Sequence, residues 1–179
     1  MNPYRSPSRF DFTQSKTAQP EPSLELVVFN VGNLKLALRI ELVHKVVSHN
    51  SFHGSGLNSI GIAHVDNFEV TVIDLHQRLF KISPVAGTVT RLVVIQTSNG
   101  ELYGIPIADT PTLLEVPLSR IRVLPESYRR SDTLDIASHV AVVPQPDSTT
   151  LTIFLVDSDR LSPFFTVPAD RALPASREG

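Results

Sequence analysis

Two stretches of the chain nearly repeat one another. LVVFNVGNLKLAL begins at Leu26 and LVVIQTSNGELYGI begins at Leu92. Further along, VIDLHQRL from Val72 and LVDSDRL from Leu155 are also alike. Each copy reads hairpin, short strand, loop, strand, then an aspartate and a short turn ending in leucine. A repeat of this kind restricts the fold more than any single motif. Two halves of about 65 residues, each with about five short strands, have too little sheet to leave edges open. Closing each half into a small barrel removes those edges. The expected fold is therefore mainly β and built of two small barrels, with a single large sandwich as the alternative.

The individual runs support this. LELVVFN (24–30), a turn at Val31-Gly32-Asn33 and LKLALRI (34–40) form a hairpin. In the second strand Leu34, Leu36, Leu38 and Ile40 share one face, with Lys35 and Arg39 on the other. LVHKVV (42–47) continues the β pattern, SHNSFHGSGLNSI (48–60) reads as a loop, and FEVTVI (68–73) is a strand with Phe68, Val70 and Val72 on one face. RLVVIQT (91–97), Asn99-Gly100 and ELYGIPI (101–107) form the second hairpin. Asn-Gly favours such a turn because both residues tolerate positive φ. TLLEVP (112–117), a loop rich in charge and proline, and LTIFLV (151–156) complete the body. Residues 1–22 are proline-containing and without hydrophobic period, so they read as a disordered arm, and 166–179 as a flexible tail. The body at 23–165 divides into a first barrel at about 23–90 and a second at about 91–165.

Composition removes several functions. The chain has no cysteine, so disulfides and thiolate metal sites are impossible and a reducing cytoplasm is the default. A formal net charge of −2 argues against a nucleic-acid surface, which is basic. The longest apolar runs are too short to span a bilayer, so no direct membrane insertion is expected. No apolar stretch follows the charged start, so no signal peptide is read there.

Catalytic chemistry is equally absent. Asp74 ends an apolar strand and precedes LHQRLF, with Gln77 three residues on. That is the spacing of a helix N-cap and not of a catalytic carboxylate, and Asp157 holds the equivalent place in the second half. His49 and His53 lie four apart, but in a loop sequence with no third ligand, so no metal is expected. His44, His64, His76 and His139 are scattered. HGSGLNS (53–59) lacks a dinucleotide or phosphate-loop pattern, and no G-x-S-x-G elbow occurs. Asp132 and Asp135 read as solvated loop residues, and the YRR patch (128–130) is too small to hold nucleic acid. The chain reads as a binding module, not an enzyme, with no cofactor.

The ordered set of motifs over residues 24–165 resembles the CheW-like domain, the coupling adaptor of bacterial chemosensory systems. LVVFNVGNLKLALRI is similar to the start of that domain. GIAHVDNFEVTVIDLHQRLF (61–80) looks like its signature G-x-x-N-L-R-G-x-x-x-P-V-x-D-L-x-x-x-L. RLVVIQTSNGELYGIPIADTPTLLEVPLSRIRVLP (91–125) and LTIFLVDSDRL are similar to its second half. The resemblance implies two intertwined five-stranded SH3-like barrels with one or two short helices, and no catalysis. It implies an adaptor between a chemoreceptor cytoplasmic tip and a CheA-type histidine kinase, with other CheW-like domains as further partners. The groove between the barrels would take the receptor and the second barrel the kinase. Flagellar chemotaxis, pilus-driven twitching and phototaxis all use such proteins. Localisation would be cytoplasmic, at a receptor array.

The departures are specific. N-L-R-G becomes His64-Val65-Asp66-Asn67, the proline of P-V-x-D-L is Thr71, the glutamate of V-x-E-V is Lys45, and the common V-D is Ile107-Ala108. Two of these reverse charge in opposite senses. Lys45 and Asp66 are therefore expected to face each other across neighbouring strands, a pair with its polarity exchanged. The expected receptor-side contacts are Ile40, Val43 and Val46, with Lys45, Asp66 and Asn67 around them. Those expected on the kinase side are Ile105, Ile107, Leu113 and Val116. The alternative from another class is a small barrel that binds nucleic acid or a small ligand.

Overall fold

The computed structural model describes residues 21–48, 53–54, 60–84, 87–129 and 134–161. The readings of 1–20 and 162–179 lie outside these residues. Glu21 and Pro22, placed in the arm by sequence, are tied down: Leu118 N–H donates to Pro22 O at 2.9 Å and Ser119 N–H to Glu21 Oε1 at 3.0 Å.

The described residues form twelve strands and a few short helices. They are β1 (Ser23–Val31), β2 (Leu34–Arg39), β3 (Val43–Ser48), β4 (His53–Gly54), β5 (Ile60–Val65) and β6 (Phe68–Ile73). Helix α1 (Leu75–Phe80) is followed by β7 (Arg91–Gln96), β8 (Leu102–Ile107), β9 (Thr112–Pro117) and β10 (Ile121–Val123). Helix α2 (Glu126–Arg129), β11 (Ala137–Pro144), β12 (Thr150–Val156) and α3 (Ser158–Leu161) complete the order. Single 3-10 turns at Ile40–Leu42 and Leu118–Arg120 lead into β3 and β10.

The strands form two six-stranded sheets, ordered β9-β1-β2-β12-β11-β10 and β3-β7-β8-β6-β5-β4. In this direction the two orders correspond strand for strand, so the sequence repeat appears as a pseudo-two-fold. Each sheet has one strand more than the five expected, because the two-residue β4 and the three-residue β10 extend it. The halves are intertwined through their hairpins. β1–β2 joins the second-half strands through a parallel pair, Phe154↔Leu36, and β7–β8 joins the first-half strands through Thr71↔Tyr103. The sheets therefore do not divide at residue 90, because each borrows the leading hairpin of the other half.

This exchange explains why the runs Leu26–Phe29 and Leu92–Ile95 are continuously apolar where a one-sided strand would alternate. Both faces are covered. Leu26, Val28, Ala37, Val116, Ala141 and Ile153 fill the interior of one barrel. Ala63, Val70, Val72, Leu92 and Val94 fill the other. A larger cluster lies between them, where Phe29, Val31, Leu36 and Leu38 of one sheet meet Val93, Ile95, Tyr103, Ile105 and Ile107 of the other, with Leu75 and Leu79 of α1 and Leu161 of α3.

Three turns carry local constraints. Gly32 closes β1–β2 at φ +57°, and a Cβ there would lie 2.7 Å from a ring carbon of Phe80. Asp66 and Asn67 take φ of 49° and 69°, a two-residue primed turn between Val65 and Phe68. In the β7–β8 loop only Gly100 is positive, at φ 85°. Thr97 N–H bonds Glu101 O at 3.0 Å and Gly100 N–H bonds Thr97 O at 2.9 Å. That loop is a turn followed by a glycine bulge, not the Asn-Gly two-residue turn expected. Helix α1 is capped as expected: Gln77 N–H donates to Asp74 Oδ1 at 2.9 Å.

Candidate functional site

Lys45 and Asp66 meet as an ion pair. The pairing expected from their reversed charges is present, but not its setting. Asp66 sits on the β5–β6 turn, and β3 is not a hydrogen-bonded neighbour of β5 or β6. β3 and the β5–β6 hairpin lie towards opposite ends of the sheet order, so they meet only because the sheet curls. The pair thus helps close the barrel mouth. Lys45 stands opposite Val94, on the barrel-interior face, after a bulge between Val43 and Lys45. Its side chain is largely covered, while that of Asp66 is 67 % exposed.

The other expected contact residues separate by burial. Ile40 and Val43 are half-buried, Val46 is 39 % exposed and Asn67 is exposed on the turn. Leu113 is 67 % exposed on β9. Ile105, Ile107 and Val116 are fully or almost fully buried. The first two belong to the cluster between the barrels and Val116 to a barrel interior. They present no surface to a partner in the folded chain. Their alternating strand pattern is the same whether the face meets a second sheet or a second protein, so sequence does not distinguish the two.

Sequence reasoning also missed exposed apolar residues. Phe68, expected on one strand face with Val70 and Val72, is 61 % exposed at the β6 end while those two are buried, and Ile62 on the unforeseen strand β5 is 47 % exposed. The signal for β5 is Asp66-Asn67, a residue pair suited to positive φ at both positions.

Two surface grooves accompany these residues. One lies where the sheets meet and is lined by Asn30 and Gly32 of the β1–β2 hairpin, Asp74 and His76 of α1, and Pro106 and Asp109 at the end of β8. Asn30 Nδ2 donates to Asp109 Oδ2 at 3.2 Å across it, and His76 Nδ1 bonds Ile82 O at 2.9 Å. The other is lined by His44, Phe68, Thr71, Glu101 and Tyr103. There the Tyr103 hydroxyl donates to Glu101. Burial first, and the neighbouring carboxylate next, push the Tyr103 hydroxyl up to about 12. The hydrogen bonds from Tyr103 and Asn99 hold Glu101 below the usual carboxylate range.

Among the described residues no three His, Asp or Glu side chains come together to hold a metal ion. His49 lies outside the described residues, as does the His53 side chain, so the structure does not bear on their spacing. Asp135 is not simply solvated as expected: Arg78 of α1 holds it at 3.0 Å, and Asp132 lies outside the described residues. Asp157 accepts from Asp159 N–H at 3.1 Å, repeating in α3 the capping role of Asp74.

The sequence profile of the CheW-like domain matches residues 25–149. The chain belongs to the CheW-like domain family. A solved structure with the same fold is the scaffolding protein TtCheW from Thermoanaerobacter tengcongensis, at 19 % identity and a TM-score of 0.61, covering 79 % of this chain and 88 % of that one. At this identity the likeness concerns the fold, mainly β with two SH3-like barrels. No curated protein matches the sequence. Membership of a scaffold family supports an adaptor role in chemotaxis signalling for this CheW-like chain. Among the described residues no helix is long and apolar enough to cross a membrane.

Proposed function

We propose that this CheW-like protein is a non-catalytic adaptor that couples a chemoreceptor-type protein to a CheA-type histidine kinase in a motility-signalling array. The family match over residues 25–149 carries this reading. The surface available for it is made of apolar residues left partly uncovered beside polar ones: Ile40, Val43 and Val46 on the first-half side and Leu113 on the second. Protein interfaces typically set a few apolar anchors within a polar rim. The intersheet groove is the second supporting feature.

The Lys45–Asp66 pair refines the reading. Its polarity is opposite to that implied by the family signature, and the pair still forms. Asp66 is 67 % exposed, so solvent screens the pair even though Lys45 is largely covered, and exchanging the two charges costs no more than about 1 kcal/mol. A partner whose rim charges suit the usual order meets like charge here, and one with the reverse order is favoured. The exchanged pair therefore acts in partner choice, and the divergence favours a pilus-type system over the flagellar one. The test compares Lys45→Glu, Asp66→Lys and the double variant for binding to the receptor and kinase encoded with this protein. Loss in each single variant and in the double variant supports partner choice. Native binding by the double variant would sink it.

A further inference from the structure

Strand β10 ends its sheet. Among the described residues it pairs with β11 alone, through Ile121↔Ala141, Arg122↔Val140 and Val123↔His139. Leu124 N–H donates to Ser138 O at 2.9 Å, so alternation along the strand turns the backbone of Arg122 towards β11 as well. Ile121 and Val123 turn theirs the other way. The Ile121 N–H is taken by Leu118 O in the preceding 3-10 turn. Among the described residues the Ile121 carbonyl and both backbone groups of Val123 are left on the open edge. An edge of this kind is a template for another strand.

The side chains of β10 alternate apolar, basic, apolar. Ile121 packs on the barrel interior, and Val123, two positions on and on the same face, is 64 % exposed. Arg122 points to the outward face, where it lines a groove of about 330 Å³ with Ser119, Arg120 and Val142. Among the described residues no carboxylate forms an ion pair with Arg122. The strand that complements this edge carries apolar residues at two alternate positions and an acid between them.

The chain before Glu21 holds one such segment. Phe10-Asp11-Phe12 reads apolar, acidic, apolar, and Asp11 is the sole acid of residues 1–20. The chain also enters the fold beside this edge, because Glu21 Oε1 accepts from Ser119 N–H in the 3-10 turn directly before β10. Phe12 lies nine residues from Glu21, about 30 Å of extended chain, which covers the distance with slack. A tether of this length holds the segment at roughly millimolar effective concentration.

We propose that residues 10–12 add to β10 as an antiparallel strand of the same chain. Phe12 stands opposite Ile121, Asp11 opposite Arg122 and Phe10 opposite Val123. The Asp11–Arg122 pair then falls at a non-hydrogen-bonded position, where facing side chains lie closest. The opposite charges and the two apolar pairs each favour this register. The chain alone suffices, so the proposal does not depend on receptor or kinase binding.

The test is residue-resolved amide hydrogen exchange of the full chain, read by NMR. With the edge open, the Val123 N–H exchanges as an unpaired amide does. With residues 10–12 in place it exchanges at least about tenfold more slowly, at every protein concentration. Asp11→Arg and Arg122→Glu each set like charges opposite one another and remove the protection, and the two together in one chain restore it. Phe10→Ser with Phe12→Ser removes it without rescue. The Leu124 N–H, bonded to Ser138 O within the sheet, stays protected in every variant and reports that β10 keeps its place. A Val123 N–H that exchanges as an unpaired amide in the wild type, protection unchanged by the variants, or a double charge variant no better than its components would each overturn the proposal. So would protection that rises with protein concentration, which assigns the edge to a second copy.

Discussion

Ile105→Ala separates a core role from a contact role most sharply. Ile105 is fully buried in the cluster between the two barrels. The substitution removes about three carbon groups, which at about 0.8 kcal/mol each gives roughly 2.4 kcal/mol of lost transfer energy. The cavity left between two twisted sheets adds to this, because neither sheet can collapse without moving the other. The total falls at about 3 kcal/mol, within the roughly 2–5 kcal/mol seen for such truncations. For a domain of this size that corresponds to a fall in midpoint of about 6–12 °C. Leu113→Ala removes a similar side chain from an exposed site and changes stability by less than about 0.5 kcal/mol. Equilibrium urea unfolding of both variants, followed by far-UV circular dichroism, measures the difference. Equal and small losses would refute the placement of Ile105 between the barrels.

Other consequences follow from single residues. Asp74→Ala removes the acceptor for Gln77 N–H and lowers stability by about 1 kcal/mol, readable in the same urea assay. Gly32→Ala meets both a positive φ and Phe80, and costs about 1–3 kcal/mol, whereas Gly100→Ala meets no neighbouring atom within 4 Å and costs less. The Tyr103 hydroxyl, raised from 10 to about 12 in the fold, contributes stability that is complete below pH 10 and lost as pH rises towards 12. Tyr103→Phe flattens that part of the stability profile, measured by unfolding in alkaline buffers. Lys45→Glu, which leaves two acids facing each other, lowers stability by no more than about 1 kcal/mol yet abolishes partner capture.

The repeat and its hairpins are legible because their signals are local. Alternation in LKLALRI, the Gly32 turn and the Asp74 cap each depend on a few adjacent residues. What stays hidden depends on distant ones. The exchange of hairpins between sheets rests on two parallel pairs, Phe154↔Leu36 and Thr71↔Tyr103, far apart in the chain. Strand β11 passes for loop in the sequence because its apolar residues follow a charged, proline-containing stretch, and the buried positions of its run ASHVAVVP include the small Ala137 and Ala141. The Lys45–Asp66 pair is visible only because two departures from the family signature compensate in charge. Ile105, Ile107 and Val116 resemble contacts because a strand face that meets a second barrel has the same pattern as one that meets a partner.

The most direct test of the adaptor account uses the full chain as bait in a lysate of its own source, with captured proteins identified by mass spectrometry. The account predicts a CheA-type histidine kinase and a receptor with a long helical cytoplasmic hairpin, both lost when Val46 and Leu113 are changed to aspartate. A folded bait that retains neither protein would contradict it.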